Sequence, residues 1–302
     1  MKDIKNQLQA GVVLSYITTA VSIIIQLSYM PVMIRLLGQS EYGLYSLVSG
    51  VVSYLSLFSL GFSGAYMRFF AMNRDDRTKT ASLNGMFLTL FTVLAVMATI
   101  CGIILSFFPK QIFGDKLSAA ELYKAKVLMI ILVINIAASL IGCLLDSIIS
   151  AHEQFVFQRI VNLASTLISP FVTLPLLLMG YRSIMLVTVT TVLTFIRLAV
   201  NIWFCFKKIK IPVSFKNFEW SLLRKIAVFS SFLFINSIID QINWNVDKLI
   251  LGHTSGTSEV AVYGVASQFN SLFMTFSTTV SSVFAPRVNL IAVQKEYACS
   301  AE

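Results

Sequence analysis

The stretch PVMIRLLGQSEYGLYSLV, residues 31–48, ends one apolar run in Arg35, turns through Gly38 to Glu41, and enters a second apolar run. An arginine and a glycine between two greasy segments read as the tip of a helical hairpin that reaches a membrane surface. Arg35 can snorkel its guanidinium to the interface. Tyr42 and Tyr45 sit where an aromatic belt is expected. Two roles are open for this tip: topological anchoring, or a gating contact between two halves of the molecule. A later stretch, DKLILGHTSGTSEVAVYGVAS at 247–267, repeats the arrangement.

Composition supports the membrane reading. Hydrophobic residues make up 57% and charged residues 12% of the 302-residue chain, and the mean hydropathy is +0.80. Soluble domains carry about 25% charged residues, so the surplus apolar surface faces lipid. Runs of about 20 apolar residues span a bilayer as helix, and roughly eight meet that criterion: 10–34, 43–67, 83–108, 126–149, 160–180, 184–206, 226–247 and 262–285. Barrel strands would alternate polar and apolar residues over about ten positions; these runs are longer and continuous. The expected fold is an all-α integral membrane protein of about eight transmembrane helices.

The first run is too long for a signal-peptide core and is expected to be retained. With the N-terminus placed inside, the inner segments hold roughly fifteen lysines and arginines against roughly seven outside, which fits the positive-inside rule with both termini cytoplasmic. The net charge of +9 is thus a topology signal rather than a nucleic-acid footprint. Cys101, Cys143, Cys205 and Cys299 show neither metal spacing nor a disulfide framework, and no cofactor is expected.

Gly38 and Gly252 superpose at an offset of 214, each ending an apolar helix in "LG" and followed by Tyr45 or Tyr263. Asn236, Asp240, Asn243 and Asp247 follow i, i+4, i+7, i+11 and share one helical face. Ser15, Thr19, Ser22, Gln26 and Tyr29 form a matching stripe in the first span. Six spans separate the copies, so they run in the same direction, as in transporters built from two similar halves.

The motifs P-x-x-x-R-L-L-G-x-x-E-Y-G-x-Y (31–45), LGFSGAYMRFFA (60–71) and AHEQFVFQRI (151–160) resemble the Wzx-type polysaccharide-biosynthesis and O-antigen flippases of the multidrug/oligosaccharidyl-lipid/polysaccharide exporter superfamily. The resemblance implies a bacterial inner-membrane protein of two six-helix lobes, carrying undecaprenyl-pyrophosphate-linked sugars to the periplasmic leaflet. It implies a lipid-linked oligosaccharide as substrate, with a polysaccharide polymerase and a chain-length regulator as partners. Such families have about twelve or fourteen spans, so this chain is expected to hold one complete lobe (1–206), a basic cytoplasmic linker (207–225) and the first hairpin of a second, parallel-repeat lobe (226–302). A truncated chain is the expectation.

Charged residues at membrane depth are costly and face cavities or partners. Arg197 therefore stands out as a candidate for the diphosphate, which arginine holds bidentately; the competing reading is a structural ion pair, with Asp240 as a possible partner. Arg68 and Arg287, at matched inner ends, are candidates to receive pyrophosphate or ordinary anchors. The stripe reads as a cavity wall, with Gln26, Asn236 and Asn243 on sugar hydroxyls and Asp240 and Asp247 on a coupling ion; interhelical polar packing is the alternative. Asp146 is expected to pair with Arg159 or a nearby lysine, and His152 with Glu153 is a weak relay candidate. Pro170 and Pro175 predict a kinked fifth span.

Enzyme readings find little support. No phosphate loop, HExxH, nucleophile elbow or cysteine–histidine set is present. The longest outer loop, about 108–126, offers only Asp115 and Glu121 for acid–base work. A membrane polymerase or glycosyltransferase remains an alternative, as does a drug exporter of the same superfamily.

Overall fold

The computed structural model describes residues 2–275 and 277, apart from 60–61, 74–75, 115 and 216–219. Among them the chain is all-helical. It runs α1 (Lys2–Leu37), α2 (Gln39–Ser53), a 3₁₀ turn (Tyr54–Ser59), α3 (Phe62–Met72), α4 (Arg77–Ser106), the short α5 (Pro109–Phe113), α6 (Ala119–Ala151), α7 (Phe155–Leu178), α8 (Ser183–Trp203) with a π-helical extension (Phe204–Ile209), and α9 (Trp220–Thr254). A tenth helix, α10, follows over 257–275.

Six stretches among the described residues are long and apolar enough to cross a membrane: Tyr16–Leu37, Gln39–Met72, Arg77–Ser106, Ala119–Ala151, Phe155–Leu178 and Ser183–Ile209. They coincide with the first six expected spans. The seventh, 226–247, lies within α9, and the eighth, 262–285, begins on α10 and runs beyond the described residues. The second span is not one continuous helix, because the 3₁₀ turn interrupts it between α2 and α3. α7 runs through both Pro170 and Pro175 as helix. The chain divides into two compact units, Met1–Val262 and Tyr263–Glu302, and the core and the sites lie in the first.

Local chemistry sets the helix starts. Asp76 caps α4, its carboxylate accepting from the Thr78 and Lys79 amides and from the Thr78 hydroxyl at 2.6 Å, which meets the orphan donors of the first turn. The Thr78 hydroxyl and these amides hold the Asp76 carboxyl below the usual aspartate range. The cap's contribution is therefore present above that range and fades as pH falls through the depressed value. Asp76→Ala is expected to speed amide exchange at Thr78 and Lys79 several-fold at neutral pH, with the gap to wild type closing in acid; equal exchange at neutral pH would mean that Asp76 does not hold this helix start. Ser118 and Glu121 form a reciprocal capping box at α6.

The core sits where α3, α4 and α6 meet, around Tyr66, Phe87, Phe91, Leu144 and Ile148. Tyr66 donates to Asn84 at 2.8 Å, and Asn84, itself fully buried, donates to the Pro212 carbonyl at 2.8 Å. Gly85 lets the backbone at Ser214 lie directly on α4, where a Cβ would come within 2.0 Å of the Ser214 carbonyl oxygen. The segment after α8 is thus strapped onto the helical packing of α4, and a buried polar pair is satisfied by backbone, as a low-dielectric interior requires.

Candidate functional site

The first site is a charge pair at membrane depth. Arg197 and Asn201 lie one turn apart on α8 and so share a face. Both reach Asp146 on α6. Arg197 Nη2 donates to Asp146 Oδ2 at 2.6 Å, and Asn201 Nδ2 donates to Oδ1 at 2.9 Å. Gln158 Nε2 donates to the Asp146 carbonyl at 3.3 Å while its Oε1 accepts from Ser150 at 2.8 Å. The ion-pair partner of Arg197 is therefore Asp146 rather than Asp240. The Asp146 partner is likewise Arg197, not Arg159 or a lysine.

This pair is not sealed. A cavity of ≈190 Å³ lies beside it, lined by Ser139, Thr194, Arg197 and Asn201, and another of ≈290 Å³ is lined by Ser63, Ser147, Ser150 and Gln158. Cys143 and Asp146 form part of both walls. The guanidinium thus faces a space that can take a ligand while its charge is neutralised. Asp146→Ala strands Arg197 without its anion, and breaking a buried pair costs about 3–5 kcal/mol; the lower end is expected because Arg197 is 35% exposed. Thermal unfolding in detergent checks this: a lowered midpoint that is largely recovered in Asp146→Leu/Arg197→Met supports the pair, and an additive loss contradicts it.

The α9 stripe is placed differently. Asn236, Asp240 and Asn243 are exposed and Asp247 is half-buried. The neighbouring face of α9 packs on α2 instead: Gln241 accepts from Ser53 at 3.2 Å, donates to Ser56 at 3.1 Å, and accepts from Asn245 at 2.7 Å. Gly50 admits Lys248 and Asn245, and Gly252 is packed against Leu47. Gln241, Asn245 and Lys248 were not singled out in the sequence, although their polar character at i, i+4, i+7 was there to read. Gln26 is half-buried on α1, Arg68 is exposed on α3, and Arg287 lies outside the described residues.

The second site is the turn that joins α1 to α2. Gly38 has φ +81, and the glycine that matches it is Gly256, with φ +87. Gly252, its expected counterpart, lies inside α9. The offset is therefore 218 rather than 214, and it aligns GQSEYGLY (38–45) with GTSEVAVY (256–263), identical at glycine, serine, glutamate and tyrosine. The two copies meet each other reciprocally. Gln39 donates to the Ser258 carbonyl at 3.2 Å, and Ser40 lies 3.3 Å from the Thr257 hydroxyl; under the offset, 39 matches 257 and 40 matches 258. Such exchanged pairing is what a two-fold junction produces. Near its centre Gly43 sits on the Thr257 carbonyl and the Ala261 amide, and a Cβ at Gly43 would stand 1.8 Å from the Thr257 oxygen.

Two carboxylates tie the junction to the bundle. Glu121 Oε1 accepts from Ser40 at 2.8 Å and from Thr257 at 3.0 Å, so one capping-box residue holds both copies. Glu41, 8% exposed, pairs with Lys124, accepts from Ser183 at 2.6 Å, and lies 3.4 Å from Arg182. Tyr42 is buried next to it at 5% exposure, so it packs in the core rather than in an aromatic belt. Arg35 is exposed, as snorkelling requires.

Similarity to known proteins points the same way. The "Putative O-antigen transporter" of Shigella flexneri is 21% identical over 267 residues, covering 87% of this chain and 62% of that protein. The chain thus spans less than two thirds of that relative's length. An outward-facing multidrug resistance MATE family transporter of the MOP superfamily has a similar structure, with TM-score 0.61 at 12% identity over 94% of this chain and 71% of its own. The MATE multidrug transporter DinF-BH matches with TM-score 0.64 at 11% identity, over 94% and 64%. These likenesses establish a MATE-like helical fold. A family model described as "Polysaccharide biosynthesis protein" matches residues 8–289, and the chain belongs to that family of multi-pass membrane proteins.

Proposed function

We propose that the protein is a flippase that moves undecaprenyl-pyrophosphate-linked oligosaccharide from the cytoplasmic to the periplasmic leaflet of a bacterial inner membrane by alternating access. Family membership and the likeness to an O-antigen transporter support the substrate class. The observation that carries the mechanism is the reciprocal junction of the two repeated turns. Two homologous hairpins that meet through a few hydrogen bonds and small residues form a seam that can part, and parting it exposes what lies between. In this reading 1–206 is the first lobe, 207–225 a cytoplasmic linker and 226–302 the start of the second lobe, with both termini cytoplasmic. The Gly38 end is then periplasmic and its seam is closed.

Arginine supplies phosphate recognition, at Arg197 with Arg68 and Arg287 at the cytoplasmic ends. Gln26, Asn236 and Asn243 meet sugar hydroxyls, and Asp240 and Asp247 bind a coupling cation or proton, energised by an ion gradient or the membrane potential. The exposed stripe of α9 supports this assignment, because polar side chains at membrane depth face a cavity rather than lipid. The distribution of undecaprenyl-linked glycan across the membrane, in cells lacking the gene and in complemented cells, tests the reading. Accumulation in the cytoplasmic leaflet that complementation relieves is the expected result. Glycan that reaches the periplasm normally but is never polymerised overturns it in favour of an assembly enzyme.

A further inference from the structure

α4 and α6 turn a joint face to lipid. Ile100, Ile103 and Phe107 recur at i, i+3, i+7 on α4 and are all exposed. Tyr123, Lys126 and Ile134 share one face of α6. The helices run antiparallel and in contact, with Gly102 against the Val133 side chain and Lys126 Nζ 4.7 Å from the centre of the Phe107 ring, so the two faces lie side by side. Both belong to membrane-spanning stretches, Arg77–Ser106 and Ala119–Ala151. Phe107 follows the last residue of its stretch and so stands at headgroup level. Lys126 sits about 10 Å along α6 from the helix start and turns its ammonium back to that level, as a snorkelling lysine does.

Lys126 lacks an anion. Among the described residues it makes neither an ion pair nor a hydrogen bond. Carboxylates at this end of the bundle are committed elsewhere, Glu41 to Lys124 and Ser183 and Glu121 to Ser40, Thr257 and Ser118. The Phe107 ring attracts the ammonium but offers no hydrogen-bond acceptor, so the acceptor comes from the headgroup layer. Tyr123, 70% exposed and one turn nearer the helix start, adds a hydroxyl on the same face. Lys110 and Lys116 are exposed on the connection between the helices and make this rim basic. We propose that the face binds an anionic glycerophospholipid of the bilayer, its phosphate oxygens accepting from Lys126 and Tyr123 and an acyl chain lying along Ile100, Ile103 and Ile134. A phosphate above hydrocarbon matches a cation above an apolar strip, and the basic rim favours a headgroup with no ammonium of its own. The inference does not rest on the transport reading.

The test places the full-length protein in phosphatidylcholine nanodiscs with one of two photoreactive probes, phosphatidylglycerol or phosphatidylethanolamine, each carrying a diazirine in the same acyl chain. The expected result is label on peptides covering 100–107 or 123–134, several-fold stronger from phosphatidylglycerol. Lys126→Gln lowers that label several-fold while the thermal midpoint in detergent stays at the wild-type value, and Lys126→Arg retains the label. Equal labelling of these peptides by the two probes overturns the inference, as does label that persists in Lys126→Gln or is confined to other segments. Displacement of the phosphatidylglycerol label by an equal amount of undecaprenyl phosphate also overturns it, since the face then belongs to a carrier lipid.

Discussion

Gly43→Val is expected to abolish glycan export while the helical bundle still folds, and to render the seam accessible to impermeant thiol reagents at a cysteine placed at Thr257, which is buried in the closed junction. The added Cβ would stand 1.8 Å from the Thr257 carbonyl oxygen and 2.7 Å from its carbon. Both are backbone atoms at the start of α10, so no side-chain rotation relieves the clash. Overpacking costs about 1–3 kcal/mol and more where the surroundings cannot yield; here it falls on the seam between the repeats, which separates. Gly142→Ala on α6 is the contrast, because its Cβ meets only Leu198 Cδ1 at 4.0 Å. That substitution is expected to be neutral or slightly stabilising, as glycine is about 0.8–1.0 kcal/mol worse than alanine inside a helix. Equal accessibility of the Thr257→Cys thiol in the Gly43 variant and its parent would mean that the seam does not depend on this contact.

Glu41→Ala should have the second large effect, on stability. The carboxylate side chain is 9% exposed and its partner Lys124 30% exposed, so removal strands a largely desolvated ammonium and leaves the buried Ser183 hydroxyl without its acceptor. Breaking such a pair costs about 3–5 kcal/mol when both partners are buried, and the residual exposure of Lys124 places this one near the lower end. Arg182, 68% exposed on the same carboxylate, behaves as a surface partner worth about 0–1 kcal/mol. Thermal unfolding should therefore rank the variants Glu41→Ala, Lys124→Ala, Arg182→Ala from most to least destabilised. An Arg182 variant as unstable as the Glu41 variant would contradict this division of the charge.

The helical spans were readable because lipid-facing helices impose a long apolar run, and each of the first six runs overlaps one membrane-spanning stretch of the structure. The interruption at Tyr54–Ser59 was not, since an apolar 3₁₀ turn has the same composition as the helix around it. The repeat was readable in kind but not in register. "LG" at 251–252 invited superposition on 37–38, yet α9 continues through Gly252, which fits against Leu47, and the left-handed turn falls at Gly256. The stronger signal, G-x-S-E-x-x-x-Y at both 38–45 and 256–263, lay four residues further on. Arg197 was legible as an intramembrane charge, whereas its partner was not: Asp240 and Asp146 are both acids within spans, and only the packing of α6 on α8 selects Asp146. The contacts of the first turn with its repeat join residues 217 and 219 positions apart, a separation at which no local pattern speaks.

Cross-linking the seam offers the most direct measurement. Ser40 and Thr257 hydroxyl oxygens lie 3.3 Å apart, so Ser40→Cys/Thr257→Cys in a background lacking the native cysteines should form a disulfide on oxidation. Flipping of a fluorescent undecaprenyl-pyrophosphate-linked oligosaccharide is then followed in proteoliposomes. Alternating access through a parting seam predicts that flipping stops when the cross-link is complete and returns on reduction, with each single-cysteine protein unaffected by oxidant. Undiminished flipping by fully cross-linked protein would contradict it.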